Sequence, residues 1–362
     1  MTADDPCSGA SFLEGLRARA RADRRRIVFA EGTEARVHHA VAVGLAEGLF
    51  EPVLIGDPGT VRAGLAAVGV DDPGRVEVLD PSAAGGIRRT EEVLTAARRA
   101  RGSSVAGVDA LARDPLAQAA VLVRTGDADG GVAGCVRTTS DVVRAALLGV
   151  GLSGASDTLS SAFYMVFEAR ERPARGDRGH PARGSVLTFT DAGVVPAPTA
   201  RQLAGIAAAA ATAHRAVVGE EPRVAFLSYS TKGSAEGASV TLVREALEVF
   251  QALMPNVVAD GELQGDAALS PGVAARKAPD SPVGGRANVL VFPDLASANI
   301  GYKLVQHLGG AQALGPILQG LARPFNDLSR GASASDIVAV ACITALMAGS
   351  RSGGATTSAG DG

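Results

Sequence analysis

Short runs of β-branched residues alternate along this chain with longer, alanine-rich segments of helical periodicity. The short runs predict strands at 27–29, 53–55, 76–79, 120–123, 186–189, 224–227 and 289–292. The longer segments predict helices at 34–49, 91–101, 140–148, 200–218, 240–253, 302–308 and 336–348. Parallel strands need long crossover connections, which helices supply. The alternation therefore predicts an α/β protein with mostly parallel sheets covered by helices.

Length and composition predict two domains. The chain has 362 residues, of which 46% are hydrophobic, enough for two cores of ordinary size. Residues 168–184, rich in Arg, Pro, Gly and Asp, predict an exposed connection near a domain boundary. Residues 349–362, rich in Gly, Ser and Thr, predict a disordered tail.

Several classes of protein are disfavoured by composition and by charge. The first residues lack a basic and then apolar pattern, and the most apolar stretch, 203–213, is too short to span a bilayer, so we expect a cytoplasmic protein without a membrane segment. The formal net charge of -3 argues against nucleic-acid binding. The three cysteines show no C-x-x-C spacing, which predicts neither a disulfide framework nor a zinc site.

Two glycine motifs do not predict a nucleotide site. The G-x-G-x-x-G pattern at 149–154 follows a helical segment, whereas the dinucleotide motif follows a strand, so a helix end and turn explain it better. Lys232, Gly233 and Ser234 lack the first glycine of the Walker pattern and reverse its Lys–Gly order.

The acidic residues of 260–266 are weak metal candidates. Asp260, Glu262 and Asp266 could supply the oxygen ligands of a hard cation, but capping, exposure and subunit contacts are commoner uses of such acids. The five histidines show no paired metal spacing. We therefore predict no metal that the chemistry requires.

A serine-rich segment follows the strand predicted at 224–227 and precedes a helix. Small residues there could direct backbone N–H groups at an anion, or could simply form a turn, and the residues alone leave both readings open. The candidate residues of this segment are Ser228, Ser230, Thr231, Gly233 and Ser234.

A second polar segment, 326–336, sets a hydroxyl, a guanidinium and a carboxylate close together, in Ser329, Arg330 and Asp336. Such groups suit a reaction at an acyl phosphate, because an anion must be bound and a proton must be moved. The other reading is structural. Ser333 stands three residues before Asp336 and directly before an apolar run, as in a helix capping box.

Four segments together resemble one family. Residues 228–234, 260–267, 299–303 and 326–336 match the phosphate acetyltransferase family in the same order, and the resemblance runs from about 27 to 347. The resemblance implies two α/β/α domains with mostly parallel sheets, similar to isocitrate and isopropylmalate dehydrogenases, and an active-site cleft between them. It implies a discontinuous first domain of residues 1–154 and 318–350, a second domain of residues 155–317, and a tail at 351–362.

The activity that the resemblance implies is reversible acetyl transfer between acetyl phosphate and coenzyme A, which gives acetyl-CoA and phosphate. In this reading Asp336 is the base that takes the thiol proton, and we expect its carboxylate to be partly desolvated. Arg330 stabilises the charge on the departing phosphate, and Ser329 hydrogen-bonds the sulfur or the oxyanion. Two bound substrates can react directly, so no acyl-enzyme is required.

The resemblance also implies binding residues. Arg98 and Arg144 stand where the family carries arginines that bind anionic groups of coenzyme A or substrate, although Arg101 replaces a family lysine beside the first. Among arginine-rich helices a plain surface role is the alternative for Arg98. The resemblance adds Tyr302, Lys303 and the serine-rich segment to the binding site.

Other readings stay open. A related butyryl-transferring group shares the chemistry, and a family-like domain of some malic enzymes binds acetyl-CoA as a regulatory module. A decarboxylating dehydrogenase is disfavoured because the dinucleotide and metal patterns are missing. The resemblance further implies coenzyme A as a substrate and no permanently bound cofactor, a homodimer, and acetate kinase as a pathway neighbour.

Overall fold

The computed structural model describes residues 9–154, 158–167 and 186–352. The connection predicted at 168–184 and residues 353–362 of the predicted tail lie outside the described residues.

The chain divides into two compact units. The flanking unit comprises Leu16–Gly154 and Leu321–Gly362, and the central unit comprises Met1–Gly15 and Ala155–Gly320. The domain limits predicted from the sequence, 1–154 with 318–350 and 155–317, stay a prediction.

Eleven strands lie within the described residues. They are β1 (Arg25–Phe29), β2 (Phe50–Ile55), β3 (Glu77–Leu79), β4 (Gly130–Ala133), β5 (Ser160–Val166), β6 (Val186–Thr190), β7 (Arg223–Leu227), β8 (Val258–Leu263), β9 (Val289–Val291), β10 (Gln312–Gln319) and β11 (Phe325–Asp327).

Thirteen α-helices lie within the same described ranges. They are α1 (Gly9–Ala22), α2 (Ala35–Glu47), α3 (Pro58–Ala67), α4 (Ala84–Ala100), α5 (Val108–Leu111), α6 (Pro115–Thr125), α7 (Thr139–Gly149), α8 (Ala200–Val217), α9 (Ala238–Leu253), α10 (Gly265–Leu269), α11 (Pro271–Lys277), α12 (Leu295–Gly309) and α13 (Ala334–Ser352).

The flanking unit contains a five-stranded sheet with the order β11-β4-β1-β2-β3. All four of its strand pairs are parallel. The chain builds β1, β2 and β3 toward one edge, and then adds β4 and β11 on the other side of β1. The order therefore reverses between β1 and β4, the kind of position where ligands bind at the carboxyl ends of open α/β sheets.

The central unit contains a six-stranded sheet with the order β10-β5-β6-β9-β7-β8. The strands from β6 to β8 pair in parallel, whereas β5 pairs antiparallel with both β6 and β10. The carboxyl ends of the four parallel strands lie at one edge, so the segments that follow them meet there. The predicted α/β fold with mostly parallel sheets is confirmed.

Aromatic pairs lie in the core of each unit. In the flanking unit Phe29 of β1 packs against Phe50 of β2, with ring centroids 5.6 Å apart. In the central unit Phe226 of β7 packs edge-on against Phe250 of α9, at 5.5 Å. All four rings are almost fully buried, as parallel sheets covered by helices require.

One predicted strand was wrong. Residues 120–123 lie inside α6, which begins after the N-cap Asp114 and ends at Gly126 in a left-handed conformation. Seven of the residues in this helix are buried, so it lacks the polar face that marks a surface helix. A short apolar run in such a helix has the same pattern as a buried strand.

The start of the predicted tail was also wrong. The helix α13 continues through Ser352, so Gly349 and the three residues after it are helical. The Ser350 hydroxyl donates to the carbonyl of Met347, 3.0 Å away, within this last turn. The Gly, Ser and Thr content of this segment predicted disorder, but a glycine inside a helix costs only about 1 kcal/mol relative to alanine.

The described helices include none that is both long and apolar enough to cross a membrane.

The aromatic pair of the central unit generates a stability prediction. Phe226 is fully buried, so Phe226→Ala should lower the free energy of unfolding by about 3–5 kcal/mol, because it removes apolar contacts and leaves a cavity. Chemical denaturation measures this change. The matched control is Leu253→Ala, whose side chain is 56% exposed and should change stability by less than about 0.5 kcal/mol. Equal effects of the two variants would contradict the packing described here.

Candidate active site

The carboxyl edge of the flanking sheet gathers three chain segments. Glu31 follows β1, residues 134–137 follow β4, and residues 328–333 follow β11. These three strands are neighbours in the sheet, and the strand order reverses between two of them. The segment with the predicted catalytic residues therefore lies at the edge where ligands bind in this kind of sheet.

The Glu31 carboxylate binds the whole segment after β4. Its Oε2 accepts hydrogen bonds from the backbone N–H groups of Gly134 and Cys135, both at 2.8 Å. Its Oε1 accepts from the N–H groups of Val136 at 3.0 Å and Arg137 at 2.7 Å. The Cys135 thiol donates to Oε2 as well. A single side chain thus fixes the backbone that leads into α7.

The Arg36 guanidinium binds two of the three edge segments. Its Nη1 donates to the carbonyls of Arg330 and Ala332, at 2.8 and 2.9 Å. Its Nη2 donates to the Cys135 carbonyl, at 2.8 Å. Its Nε donates to Glu34, the residue before α2, at 2.7 Å. The segment after β11 is therefore connected to the segment after β4 through one cation.

Ser329 and Arg330 form an exposed turn. The Ser329 hydroxyl accepts a hydrogen bond from the Gly331 N–H at 3.2 Å, and the Ser329 carbonyl accepts from the Ala332 N–H at 2.9 Å. Among the described residues the Arg330 guanidinium has no hydrogen-bond or ion-pair partner. The turn presents a hydroxyl and a cation to solvent at the sheet edge.

Asp336 and Ser333 form a reciprocal cap at the start of α13. The Asp336 Oδ2 accepts from the backbone N–H of Ser333 at 2.9 Å and from its hydroxyl at 2.7 Å. In return, the Ser333 hydroxyl accepts from the Asp336 N–H at 3.2 Å. The structural reading of this pair is therefore present in the fold. Asp336 itself is half-buried.

Asp327 is a buried carboxylic acid two residues before Ser329. Its side chain is fully buried, and within the described ranges neither carboxylate oxygen has a hydrogen-bond partner. Burial raises the pKa of Asp327 to about 7, and the nearby charge of Glu31 adds to the rise. Thr139 and the Leu328 amide lie close enough to oppose the rise but do not reach hydrogen-bonding geometry. This acid changes its charge near neutral pH.

Gly134 makes room for that acid. Its φ is +103°, in the left-handed region, and a Cβ atom on it would lie 2.0 Å from Asp327 Oδ1. Only glycine combines this backbone conformation with this close approach.

The two predicted coenzyme A arginines differ in their surroundings. Arg144 lies on α7 with 70% of its side chain exposed, and it forms an ion pair with Asp141 at 3.3 Å. Arg98 is half-buried at the end of α4, and its Nη1 donates to the carbonyls of Ser104 at 3.0 Å and Ala106 at 2.7 Å. Those bonds give Arg98 a structural task in the loop after α4.

In the central unit the serine-rich segment folds around Glu262 of β8. Glu262 is buried, and its Oε1 accepts from the Ser230 hydroxyl at 2.9 Å and from the Gly233 N–H at 2.8 Å. Arg244 of α9 binds both carboxylate oxygens, at 2.8 and 2.9 Å. The bond from Arg244 and those from Gly233 and Ser230 lower the pKa of Glu262 to about 2.

The other hydroxyls of this segment are bonded within the same unit. The Ser234 hydroxyl accepts from the Thr231 N–H at 2.9 Å, and the Thr231 hydroxyl accepts from the Gln264 N–H, also at 2.9 Å. The Ser228 hydroxyl accepts from the Ser230 N–H at 3.2 Å. Ser230 and Thr231 are buried, whereas Gly233 and Ser234 are exposed. Of the predicted binding residues in this segment, the last two are the ones that face solvent.

The predicted pair Tyr302 and Lys303 lies on α12. Tyr302 is 8% exposed, and its ring stacks on Phe163 with centroids 4.1 Å apart. Lys303 is exposed, and its ammonium lies 5.0 Å from the centre of the Tyr302 ring. Tyr302 is therefore a core residue of the central unit, and Lys303 is the member of the pair that solvent reaches.

The acids considered as metal ligands have cationic partners. Asp260 pairs with Lys232, Glu262 with Arg244, and Asp266 with Lys277. In the part of the chain that the structure describes, no group of three or more His, Cys, Asp or Glu side chains could hold a metal ion.

Known proteins match the chain over most of its length. The family model described as phosphate acetyl/butaryl transferase matches residues 11–345. A phosphate acetyltransferase from Paracoccus denitrificans is 44% identical over 335 residues, which is 92% of this chain and 98% of that relative. A phosphate acetyltransferase from Thermoanaerobacterium thermosaccharolyticum is 40% identical over 338 residues, 93% of this chain and 99% of that relative.

A solved structure agrees. The crystal structure of a phosphotransacetylase from Streptococcus pyogenes superposes with a TM-score of 0.85 at 38% identity, over 94% of this chain and 99% of that one. The chain belongs to the phosphate acetyl/butaryl transferase family. The predicted family is confirmed.

Three residues that organise the edge of the flanking sheet of this phosphate acetyl/butaryl transferase were not predicted from the sequence. Glu31 stands two residues after the strand predicted at 27–29, and that place was a usable signal. Arg36 had no signal, because arginine is common throughout this chain. Asp327 ends a strand of three residues that was not predicted, so its burial was not expected.

The buried acid generates a pH prediction. The folded pKa of Asp327 is raised from its ordinary 3.8 to about 7, so the folded chain holds a proton that the unfolded chain releases between these values. Stability from this group is complete below pH 4 and is lost as pH rises through 7. The wild type should lose on the order of 2 kcal/mol of unfolding free energy between pH 5 and pH 8 that Asp327→Asn does not lose.

Denaturant titrations of both proteins at the two pH values measure the difference. The control is Asp57→Asn, which alters an exposed helix cap whose pKa is lowered, so its charge is the same at pH 5 and pH 8. The same loss of stability in Asp327→Asn as in the wild type would contradict the raised pKa.

Proposed function

We propose that this chain is a phosphate acetyltransferase, which moves an acetyl group reversibly between acetyl phosphate and coenzyme A. The relatives at 40–44% identity carry that name. The observation that carries the proposal is the exposed Ser329–Arg330 turn at the carboxyl edge of β11, with Asp336 in the first turn of the helix that follows. Hydroxyl, guanidinium and carboxylate then serve one acyl transfer.

The first step is removal of the thiol proton of coenzyme A. A free thiol has a pKa of ~8.5 and is mostly protonated at neutral pH, so a nearby base increases the thiolate fraction. We assign this role to Asp336. Its carboxylate is half-buried and accepts hydrogen bonds from Ser333 on one oxygen, Oδ2.

The second step is attack of the thiolate on the acetyl carbonyl carbon. The carbon–sulfur bond forms, the carbon–oxygen bond to phosphate breaks, and the phosphate leaves with the electron pair. Arg330 stabilises the charge on the phosphate oxygens, and Ser329 donates its hydroxyl hydrogen to the developing oxyanion or to the sulfur. Preorganised donors of this kind are worth about 3 kcal/mol each. The proposed transfer is direct, with both substrates bound.

Substrate binding is assigned to exposed cations and donors among the residues that the resemblance implies. Arg144 is the better supported of the two coenzyme A arginines, since its side chain is exposed and has one acidic neighbour. Arg98 keeps the role that the resemblance implies, but its guanidinium also holds the loop after α4. From the central unit, Gly233, Ser234 and Lys303 contribute exposed groups. The buried Ser230, Thr231 and Tyr302 support them.

The test is a thioester absorbance assay of the purified chain with coenzyme A and acetyl phosphate. The same assay is run in parallel with butyryl phosphate. Rapid acetyl-CoA formation supports the proposal. Preference for butyryl phosphate would change the substrate to a butyryl group. Tight binding of acetyl-CoA without turnover by an otherwise folded chain would contradict catalysis and favour a regulatory module.

The cap at α13 allows the catalytic role of Asp336 to be separated from its structural role. Asp336→Asn should lower kcat by about 10²-fold or more, because the base is lost. Ser333→Ala removes the same cap while keeping the carboxylate, and it should lower stability by about 1 kcal/mol with kcat within about threefold of wild type. Equal kcat values in the two variants would mean that Asp336 acts only as a helix cap.

A homodimer is proposed with this function. The helix α12 exposes three apolar side chains at four-residue spacing, Ile300 at 60%, Leu304 at 53% and Leu308 at 83%. Residues four apart share one helix face, and a continuous apolar face is typical of a protein interface. Two copies of the same face can pack about a twofold axis. A cytoplasmic location and acetate kinase as a pathway neighbour stay predictions that follow from the family.

The apolar face of α12 generates an oligomer prediction. A double change, Ile300→Glu with Leu304→Glu, should convert a dimer into monomers, because charges would be buried without partners. Light scattering after gel filtration measures the mass. The control is Leu253→Glu, which alters a similarly exposed leucine on α9. A dimer that survives the double change would place the interface elsewhere.

A further inference from the structure

We infer that Arg36 is a positioning residue for acyl transfer, whose guanidinium sets the orientation of the Ser329 hydroxyl. The inference rests on the proposed function, because it concerns the residue that the function places beside the reacting atoms. Arg36 itself lies in the first turn of α2 and is assigned no contact with substrate.

The backbone between β11 and α13 needs hydrogen-bond partners from other segments. Residues 328–333 belong to neither element, so their carbonyl groups need partners from outside a ladder. The Ser329 carbonyl accepts from the Ala332 N–H, and the Ser333 carbonyl accepts from the Ile337 N–H of α13. Arg36 supplies hydrogen bonds to two of them, at Arg330 and Ala332. The same guanidinium also binds the Cys135 carbonyl. The turn is therefore held against the segment after β4.

The peptide between Arg330 and Gly331 transmits this contact. Its carbonyl accepts from Arg36 Nη1 at 2.8 Å, and its N–H donates to the Ser329 hydroxyl oxygen at 3.2 Å. The atoms of one peptide group are held in a plane, so fixing the carbonyl direction also fixes the direction of the N–H. Arg36 thereby sets the hydrogen bond that Ser329 receives.

That bond matters for what the Ser329 hydroxyl can do next. A hydroxyl has one hydrogen to donate and two lone pairs to accept with. The Gly331 N–H occupies a lone pair of Ser329 Oγ, which restricts the rotation of the hydroxyl and leaves its hydrogen available for the oxyanion or the sulfur. A peptide rotated away from Arg36 would withdraw this bond.

The shape of the guanidinium suits the task. Arg36 uses Nε for Glu34, Nη1 for two carbonyls and Nη2 for a third carbonyl. Its planar fork spreads donors over several directions, which the single ammonium of a lysine does not. The bond to Glu34 holds the plane in one orientation and raises the pKa of Arg36 above its already high value.

The test compares Arg36→Ala with a matched control. Arg21 is an exposed arginine of the same unit whose Nε also donates to a backbone carbonyl, that of Glu47 at 2.7 Å, at the other end of α2. Arg21→Ala removes an equivalent bond away from the turn. Steady-state kinetics with coenzyme A and acetyl phosphate are measured for both variants, with and without millimolar guanidinium chloride, and with potassium chloride as the ionic control.

We expect Arg36→Ala to lower kcat by about 10²-fold, since misplacement of a reacting group by about 1 Å has an effect of that size. Both KM values should stay within about threefold of wild type, and added guanidinium should restore part of kcat. Arg21→Ala should keep the wild-type kcat. A normal kcat in Arg36→Ala, a loss confined to KM, or a loss that guanidinium does not restore would each overturn the inference.

Backbone hydrogen exchange separates this inference from the proposed function. An inactive wild type would end the proposed function, and exchange would still report on the turn. The amides of Gly331 and Ala332 should exchange faster in Arg36→Ala than in wild type, and should be unchanged in Arg21→Ala. Unchanged exchange in Arg36→Ala would overturn the positioning role whatever the activity.

Discussion

Buried or half-buried carboxylates at strand ends bind the backbone amides of the segments that follow the strands. Parallel strands bring many such segments to one edge, where the amides have no ladder partners. In the flanking unit Glu31 accepts from four consecutive amides. In the central unit Asp191 accepts from the amides of Gly193, Val194 and Val195. The edges are thus rigid enough to present exposed groups in fixed directions.

Glu262 extends the same principle to the serine-rich segment. It accepts a hydroxyl and an amide from that segment, while Arg244 balances its charge. A buried carboxylate is costly without partners, and here the partners are the segment itself and one bidentate arginine. The hydroxyls that seemed free for an anion are therefore part of the support, and the exposed residues of the segment are left for a ligand.

The turn after β11 is held by a group of the opposite charge. Here a cation binds backbone carbonyls, whereas Glu31 and Glu262 are anions that bind backbone amides. Arg36 contacts the turn, and the nearest acid in the strand, Asp327, has no described donor and a pKa near neutrality. A carboxylate with paired amides would stay charged, as Glu262 does. Asp327 lies against Gly134 instead and gains stability by binding a proton. Acids at equivalent strand ends thus differ in charge because they differ in donors.

How far the site could be predicted depended on whether a role is local in sequence. The Ser333–Asp336 cap and the turn of Ser329 and Arg330 are local, so a three-residue spacing and a match of one segment were enough. Arg36 acts on residues about three hundred positions away, and no pattern around it distinguishes it from Arg98 or Arg144. Arg98 bonds carbonyls only six and eight residues away, but these lie in an irregular loop that has no periodic pattern to predict the bonds.

The sequence by itself determined the α/β class, most of the strands and helices, the family, and the segment that carries the proposed catalytic groups. These follow from periodicity and from short motifs, which are properties of neighbouring residues. Only the tertiary structure decided that 120–123 is helical, that Tyr302 is a core residue, and that Glu31, Arg36 and Asp327 organise the carboxyl edge of the flanking sheet. Burial and the pairing of distant backbone groups depend on strand order, and strand order is not written in any local pattern.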